Sequence, residues 1–438
     1  SMFFTLVFVS PIGNYINRQL NTWYSSGLMT SRFQLAGSYL MCVAIASAAV
    51  VALSYEWLGK DWGLTLPWLS ALVACVVLLK TLNMSMVTSL NLLGKRIPWA
   101  MLTVLTLWVG LGASWLLSQY NPKAEYWMLG QLVGFFFAGI FATILVLKQS
   151  KEIPKNTGSN ESLRTLLLPV LAFSIPLALS TGLNWVQFQS YRLVIGEMVS
   201  LSYLGLFAAG YAVSAGIVGA FESTVQQYFY PKFYKGLEVD GETSIADAWL
   251  SYASLVLPFT FLTGMVVAVL ATPLTHILVD SSFWGASNFV VMGALVEVCR
   301  VAGNVYGLAA HGTMKTKILV FPQMLGAFSV LVLVPIAVKY SPGNVGIGSA
   351  LMVASLLYVA SMHFTVWRHL SVTLRLKSFT PIIYFIPLFL VISFLSEFHT
   401  GDLAYDGFLL VIAGLFYLGV VYRTYNKIKL ACPPVAKV

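Results

Sequence analysis

Residues 148–164, KQSKEIPKNTGSNESLR, form the least hydrophobic stretch of a chain that is otherwise a succession of long apolar runs. Lys148, Lys151, Lys155 and Arg164 stand there against Glu152 and Glu161, and Pro154 and Gly158 break helices, so a solvated linker is expected. Five apolar runs precede it and eight follow. A chain of 438 residues that is 58% hydrophobic and only 9% charged is no water-soluble globule, in which about a quarter of residues are charged. The composition is that of an all-α polytopic membrane protein.

The net charge of +9 lies between the apolar runs and forms no continuous stripe, which argues against a nucleic-acid partner. Cys42, Cys75 and Cys299 fall inside apolar runs and Cys432 in the basic tail, giving neither a disulfide framework nor a metal-ligand spacing. No cofactor is implied. Ser1 ahead of Met2 reads as a tag remnant, and the run 3–9 has no basic residues before it, unlike a cleavable signal peptide.

About 20 apolar residues cross a bilayer core. That rule predicts thirteen helices, near 2–24, 36–57, 65–93, 98–119, 127–147, 163–190, 200–229, 247–277, 286–310, 316–338, 344–366, 380–396 and 404–422. The organisation expected is an N-terminal lobe over 1–147, the linker 148–164, a C-terminal lobe over 163–366, two additional helices over 380–425 and a tail over 426–438. Eighteen Lys and Arg collect in the loops of one side and four on the other, so the C-terminus is expected in the cytoplasm. An odd number of crossings then leaves the N-terminus outside. A further helix ahead of Met2 would resolve this, making fourteen in all: six, the linker, and eight. Two repeated halves of six with two appended helices is a transporter architecture. All outer loops are short, the longest near 396–406, and Pro11, Pro169, Pro176, Pro258 and Pro335 are expected to kink their spans.

A charge near the bilayer centre costs on the order of 2.5–3.5 kcal/mol and belongs in a bundle interior or a hydrated cavity. Three cations qualify: Arg18 within PIGNYINRQL, Lys80 in the middle of its span with Asn83 and Ser85 after it, and Arg300. Arg18 could instead snorkel to head groups, although Asn14, Asn17, Gln19 and Asn21 make its surroundings polar. Glu297 and Arg300, three apart, can pair on a helix, with Asn304 on the same face. That pair reads equally as an internal ion pair and as an anion-binding arginine held by an acid. In NWVQFQSYR, Asn184, Gln187 and Tyr191 share one face, suited to sugar hydroxyls and equally to hydrogen bonds between helices. Glu222, ahead of Gln226 and Gln227, is the carboxylate best placed to titrate during transport, unless it is simply wet at a span end. Nothing suggests catalysis.

The segment 3–24, FFTLVFVSPIGNYINRQLNTWY, resembles the second transmembrane helix of bacterial polysaccharide flippases of the Wzx type, in the multidrug/oligosaccharidyl-lipid/polysaccharide exporter superfamily. The stretch LNWVQFQSYRLVIGEMVSLSYLGLFAAGYAVS at 183–214, leading to YPKFY at 230–234, is similar to their seventh and eighth helices. The resemblance implies two pseudo-repeated lobes around a central cationic cavity in the bacterial inner membrane. It implies a flippase that carries an undecaprenyl-pyrophosphate-linked glycan, as in O-antigen synthesis, from inner to outer leaflet by alternating access, and not an enzyme. In that setting Arg18, Lys80 and Arg300 are expected to hold the pyrophosphate and Asn184, Gln187 and Tyr191 to meet sugar. Glu222 and Glu297 are then the cavity acids, with proton or sodium coupling and association with polysaccharide polymerase machinery left open. Two other readings stay in view: a membrane glycan polymerase or ligase, which would carry a large outer loop, and a MATE-like drug or cation antiporter, which would want an acidic cavity.

Overall fold

Backbone that crosses lipid must satisfy its own hydrogen bonds, and helices do so within one segment. The computed structural model describes residues 2–58, 65–150, 163–237, 242–341, 344–370 and 403–431, with scattered positions from 379 to 394, and it contains no strand among them. The chain opens with Met2–Phe4, passes through a π-helical turn at Thr5–Val9 and continues as α1 (Ser10–Ser25). Four helices follow: α2 (Met29–Leu58), α3 (Leu66–Leu92), α4 (Arg96–Tyr120) and α5 (Ala124–Ser150). After the linker come α6 (Leu163–Met198), α7 (Leu201–Gly236), α8 (Glu242–Val269), the short α9 (Ala271–Leu278), α10 (Ser287–Gly312), α11 (Val320–Tyr340), α12 (Asn344–Leu370) and α13 (Leu403–Ala431).

Among the described residues eleven helices are long and apolar enough to span a membrane, and each overlaps one of the thirteen expected. Of the other two, 2–25 is helical throughout, but α1 has only 16 residues, and its Asn14, Asn17, Arg18, Gln19 and Asn21 dilute the apolar surface. The expected helix at 380–396 lies largely outside the described residues, as does the linker over 151–162. Pro11 follows directly on the π-helical turn Thr5–Val9 in a stretch that is helical from 2 to 25, so its missing N–H falls where the regular α-helical ladder is interrupted. Pro169, Pro176, Pro258 and Pro335 lie inside helices, as does Pro231.

The chain divides into two compact units. Unit 1 comprises Ser1–Gly182, Tyr230–Val239 and Met314–Lys317; unit 2 comprises Leu183–Phe229, Asp240–Thr313 and Ile318–Val438. The division falls inside α6 and α7 rather than at the linker. Each of these helices has 36 residues, about 54 Å of helix, far more than a bilayer core of about 30 Å requires.

Within unit 1, α4 and α5 meet backbone to backbone. A Cβ on Gly134 would collide with the Thr106 carbonyl and lie 2.7 Å from the Gly110 nitrogen, and one on Gly130 would strike the Ser114 backbone. Small residues four apart on both helices permit this approach. Ser114 then donates to the Trp127 carbonyl at 2.9 Å and accepts from Gln131 Nε2 at 3.1 Å. Gly134→Val is therefore expected to lower stability by about 3 kcal/mol, the upper end for overpacking. Gly112→Val, on α4 with open space beside it, should melt like the parent, and thermal unfolding in detergent compares the two.

Unit 2 is built around α10, which is buried along most of its length. Trp249 of α8, about 1% exposed, donates from Nε1 to the Val305 carbonyl at 2.8 Å, and Gly303 makes room for the Tyr358 ring. The late helix α13 belongs to the same core: Leu409 and Ala413 pack with Val267, Leu270 and Leu274. Two polar ties fix it, Asp406 Oδ2 to His276 Nδ1 at 3.2 Å and Tyr417 to Thr263 at 2.8 Å between hydroxyls. His276, given no role from sequence, thus anchors an appended helix.

Candidate functional site

The residues that bear charge inside the helices come together in unit 2, while unit 1 carries Arg18 and Lys80 on separate helices. In unit 2, α10 presents Glu297, Arg300 and Asn304 one turn apart, and α7 brings Glu222 to them. The Arg300 guanidinium donates from Nε to Glu297 Oε2 at 2.8 Å and from Nη2 to Glu222 Oε2 at 2.7 Å. Asn304 Nδ2 and Gln226 Nε2 donate to Glu222 Oε1 at 2.7 and 3.0 Å, and the Tyr211 hydroxyl donates to Glu297 Oε1 at 2.6 Å. All four carboxylate oxygens are engaged, as burial of two ionised acids requires. With both acids ionised, two negative charges face one positive charge.

The pairing of Glu297 with Arg300 follows the i, i+3 spacing of their helix. Glu222 is 8% exposed, so it is a partner in this cluster rather than a wet residue at a helix end. Arg300 keeps about a fifth of its side chain exposed, at 22%. An anion approaching it meets a guanidinium already held by two carboxylates and must displace one of them to gain full contact.

Asn184, Gln187 and Tyr191 do line one face of α6, and that face turns into unit 2. Asn184 Nδ2 donates to Gln323 Oε1 at 3.3 Å, and Gln323 Nε2 donates to the Tyr358 hydroxyl at 2.8 Å. Gln187, 1% exposed, fills the space that Gly326 of α11 leaves by lacking a Cβ. Tyr191, also 1% exposed, packs edge-on to Phe207 at 5.3 Å and against Tyr211 at 6.0 Å between ring centres. In this conformation all three contact neighbouring helices, and only Asn184 is half-buried.

In unit 1, Lys80 lies near the middle of α3 and is half-buried. Among the described residues no carboxylate or hydrogen-bond acceptor engages its ammonium. Asn83, one turn on, is buried and donates to Thr106 Oγ1 at 3.0 Å. Arg18, half-buried on α1, lies within electrostatic reach of the Tyr234 phenol at the end of α7. Beside α1 run two clefts. The larger, about 430 Å³, is lined by Ile12, Tyr15, Trp23, Arg32, Tyr39 and Pro169 among others. The smaller lies between α1, α2 and α3, bounded by Ile16, Phe33, Thr81 and Ser85.

Sequence reasoning missed Tyr211, Gln323 and Tyr358, because they reach the site from other helices. Only Gln226, four residues after Glu222, carried a local signal.

A search of the curated proteins finds no match. Among solved structures, a MATE transporter in the straight conformation aligns with 85% of this chain and 87% of its own, at 11% identity and a TM-score of 0.66. An outward-facing multidrug resistance MATE family transporter of the MOP superfamily aligns with 84% of each chain, at 10% identity and 0.67. The Vibrio cholerae MATE transporter VcmN in its bent form aligns over 85% and 86%, at 13% identity and 0.61. These likenesses establish the fold. The family described as "Polysaccharide biosynthesis protein" matches residues 31–288, more than half of the chain. On that match, and with the helical architecture of MATE transporters beneath it, the chain belongs to the polysaccharide biosynthesis protein family.

Proposed function

We propose that this chain is a flippase that moves undecaprenyl-pyrophosphate-linked oligosaccharide from the inner to the outer leaflet of the bacterial inner membrane by alternating access. The observation that carries the reading is Lys80: a half-buried ammonium at mid-helix depth with no described acidic partner, in a polysaccharide family with a transporter fold. A cation kept there at a cost has use for an anion, and pyrophosphate is the anion that lipid-linked glycans carry. Arg18 is the second cation assigned to it. Arg300 joins only by exchanging Glu222 or Glu297 for phosphate oxygens, which makes the cluster a switch responsive to substrate. Asn184 is assigned to sugar, and Gln187 and Tyr191 become available to it only when α6 parts from its neighbours. The basic loops favour a cytoplasmic C-terminus, on the side where the flippase would receive its substrate.

One feature favours a second reading, a MATE-like cation antiporter: two carboxylates around one guanidinium leave a negative charge that a proton or sodium ion would balance. The two readings part in proteoliposomes. A fluorescent lipid-linked oligosaccharide added on one face should become accessible on the other within minutes, and only with protein present. Exchange of an organic cation for sodium or protons, with the glycolipid immobile, would overturn the flippase in favour of the antiporter.

A further inference from the structure

At the end of unit 1 that carries the α3–α4 turn, α1 runs out and the last turns of α7 arrive, and together they enclose a cleft of about 460 Å³. Arg96 reaches it from the first residue of α4, after a turn in which Gly94 adopts φ +80°, a conformation open to glycine with little strain. Lys232 and Lys235 reach it from one face of α7, three residues apart. Asn21 and Tyr24 of α1 add an amide and a phenol, and no described residue lining the cleft is acidic. All three cations are exposed, and they come from segments more than 130 residues apart in sequence, so their convergence is a product of the fold.

Three cations with two neutral donors suit a group that carries several negative charges on closely spaced oxygens. A phosphoryl group has that form, and pyrophosphate has it twice. The position adds a direction. Asn21 stands one helical turn from Arg18 on α1, and Tyr234, adjacent to Lys235, is the residue that Arg18 approaches. Cations therefore continue from the cleft into the unit.

We propose that this cleft is a loading site that captures the pyrophosphate head of the lipid-linked glycan at the basic end of unit 1, before the head passes to Arg18. The proposal rests on the flippase reading. It adds Arg96, Lys232 and Lys235 as residues that touch the head group at the start of its path, where surface charge also raises the local concentration of an anionic lipid.

The test uses the full chain in phosphatidylcholine nanodiscs with radiolabelled polyprenyl pyrophosphate as the probe. The double variant Lys232→Gln/Lys235→Gln should bind it at least about tenfold more weakly, as loss of charge-assisted contacts implies. Lys232→Arg/Lys235→Arg should bind like the parent, and so should Lys123→Gln, whose charge lies in the loop at the other end of α4. If the glutamine pair binds like the parent, the loading site is wrong while the flippase reading stands. If phosphatidylglycerol displaces the probe at equal concentration, and the glutamine pair loses affinity for both lipids alike, the cleft is a general phospholipid site and the proposal also falls. A well-folded parent that binds no polyprenyl pyrophosphate at all would overturn both readings together.

Discussion

Lys80→Met is expected to slow glycolipid transport by about 10–100-fold and at the same time to raise the melting temperature. Lys80 is 14 residues from Leu66 and 12 from Leu92, about 18–21 Å from either end of α3. An ammonium at such depth costs on the order of 2.5–3.5 kcal/mol on insertion scales, less where it is half-hydrated. Methionine keeps the length of the side chain and removes the cost, so a structural lysine would be improved by the change. If the ammonium instead meets pyrophosphate, the change removes a charge-assisted contact of about 1.5–3 kcal/mol, hence the expected loss of rate. The initial rate in proteoliposomes and the melting curve in detergent are read on the same preparation. Lys80→Arg should keep most of the activity, and a methionine variant that transports like the parent would remove the assignment.

Arg300→Met carries the largest expected effect on stability. It leaves two carboxylates, 8% and 4% exposed, facing one another without the cation that both were built around. Breaking a buried ion pair from one side costs about 3–5 kcal/mol, because the remaining charge is stranded. Here two are stranded. The triple variant Arg300→Met/Glu222→Gln/Glu297→Gln keeps the shapes and discards the charges, and should recover most of the loss. Unfolding of the single, double and triple variants gives the coupling energy directly. A single variant that melts with the parent would mean that the cluster does not hold α7 to α10.

The spans were legible because hydropathy over about 20 residues is a local property; eleven of the thirteen expected helices are described as long apolar helices. The Glu297–Arg300 pair was legible for the same reason, since helical geometry alone brings i and i+3 together. What sequence could not supply was the partner from afar. Glu222 lies 78 residues from Arg300, and nothing in its own turn announces the meeting. The burial of Gln187 was hidden as well. Its amide is lodged against Gly326, and a glycine opposite a glutamine on a distant helix leaves no periodic trace. The polar face of α6 was read correctly as a face, but which way it turns is decided by packing.

The direct backbone contact of α4 with α5 has a mechanical consequence. Where Gly110 and Ser114 touch Gly134 and Gly130 there is no layer of side chains to slide, and neither lipid nor water can wedge the helices apart. The two bend as one beam. Whatever deformation unit 1 undergoes in a transport cycle must be absorbed around α1, α2 and α3, where unfilled volume beside Ile12, Ile16 and Tyr39 gives slack.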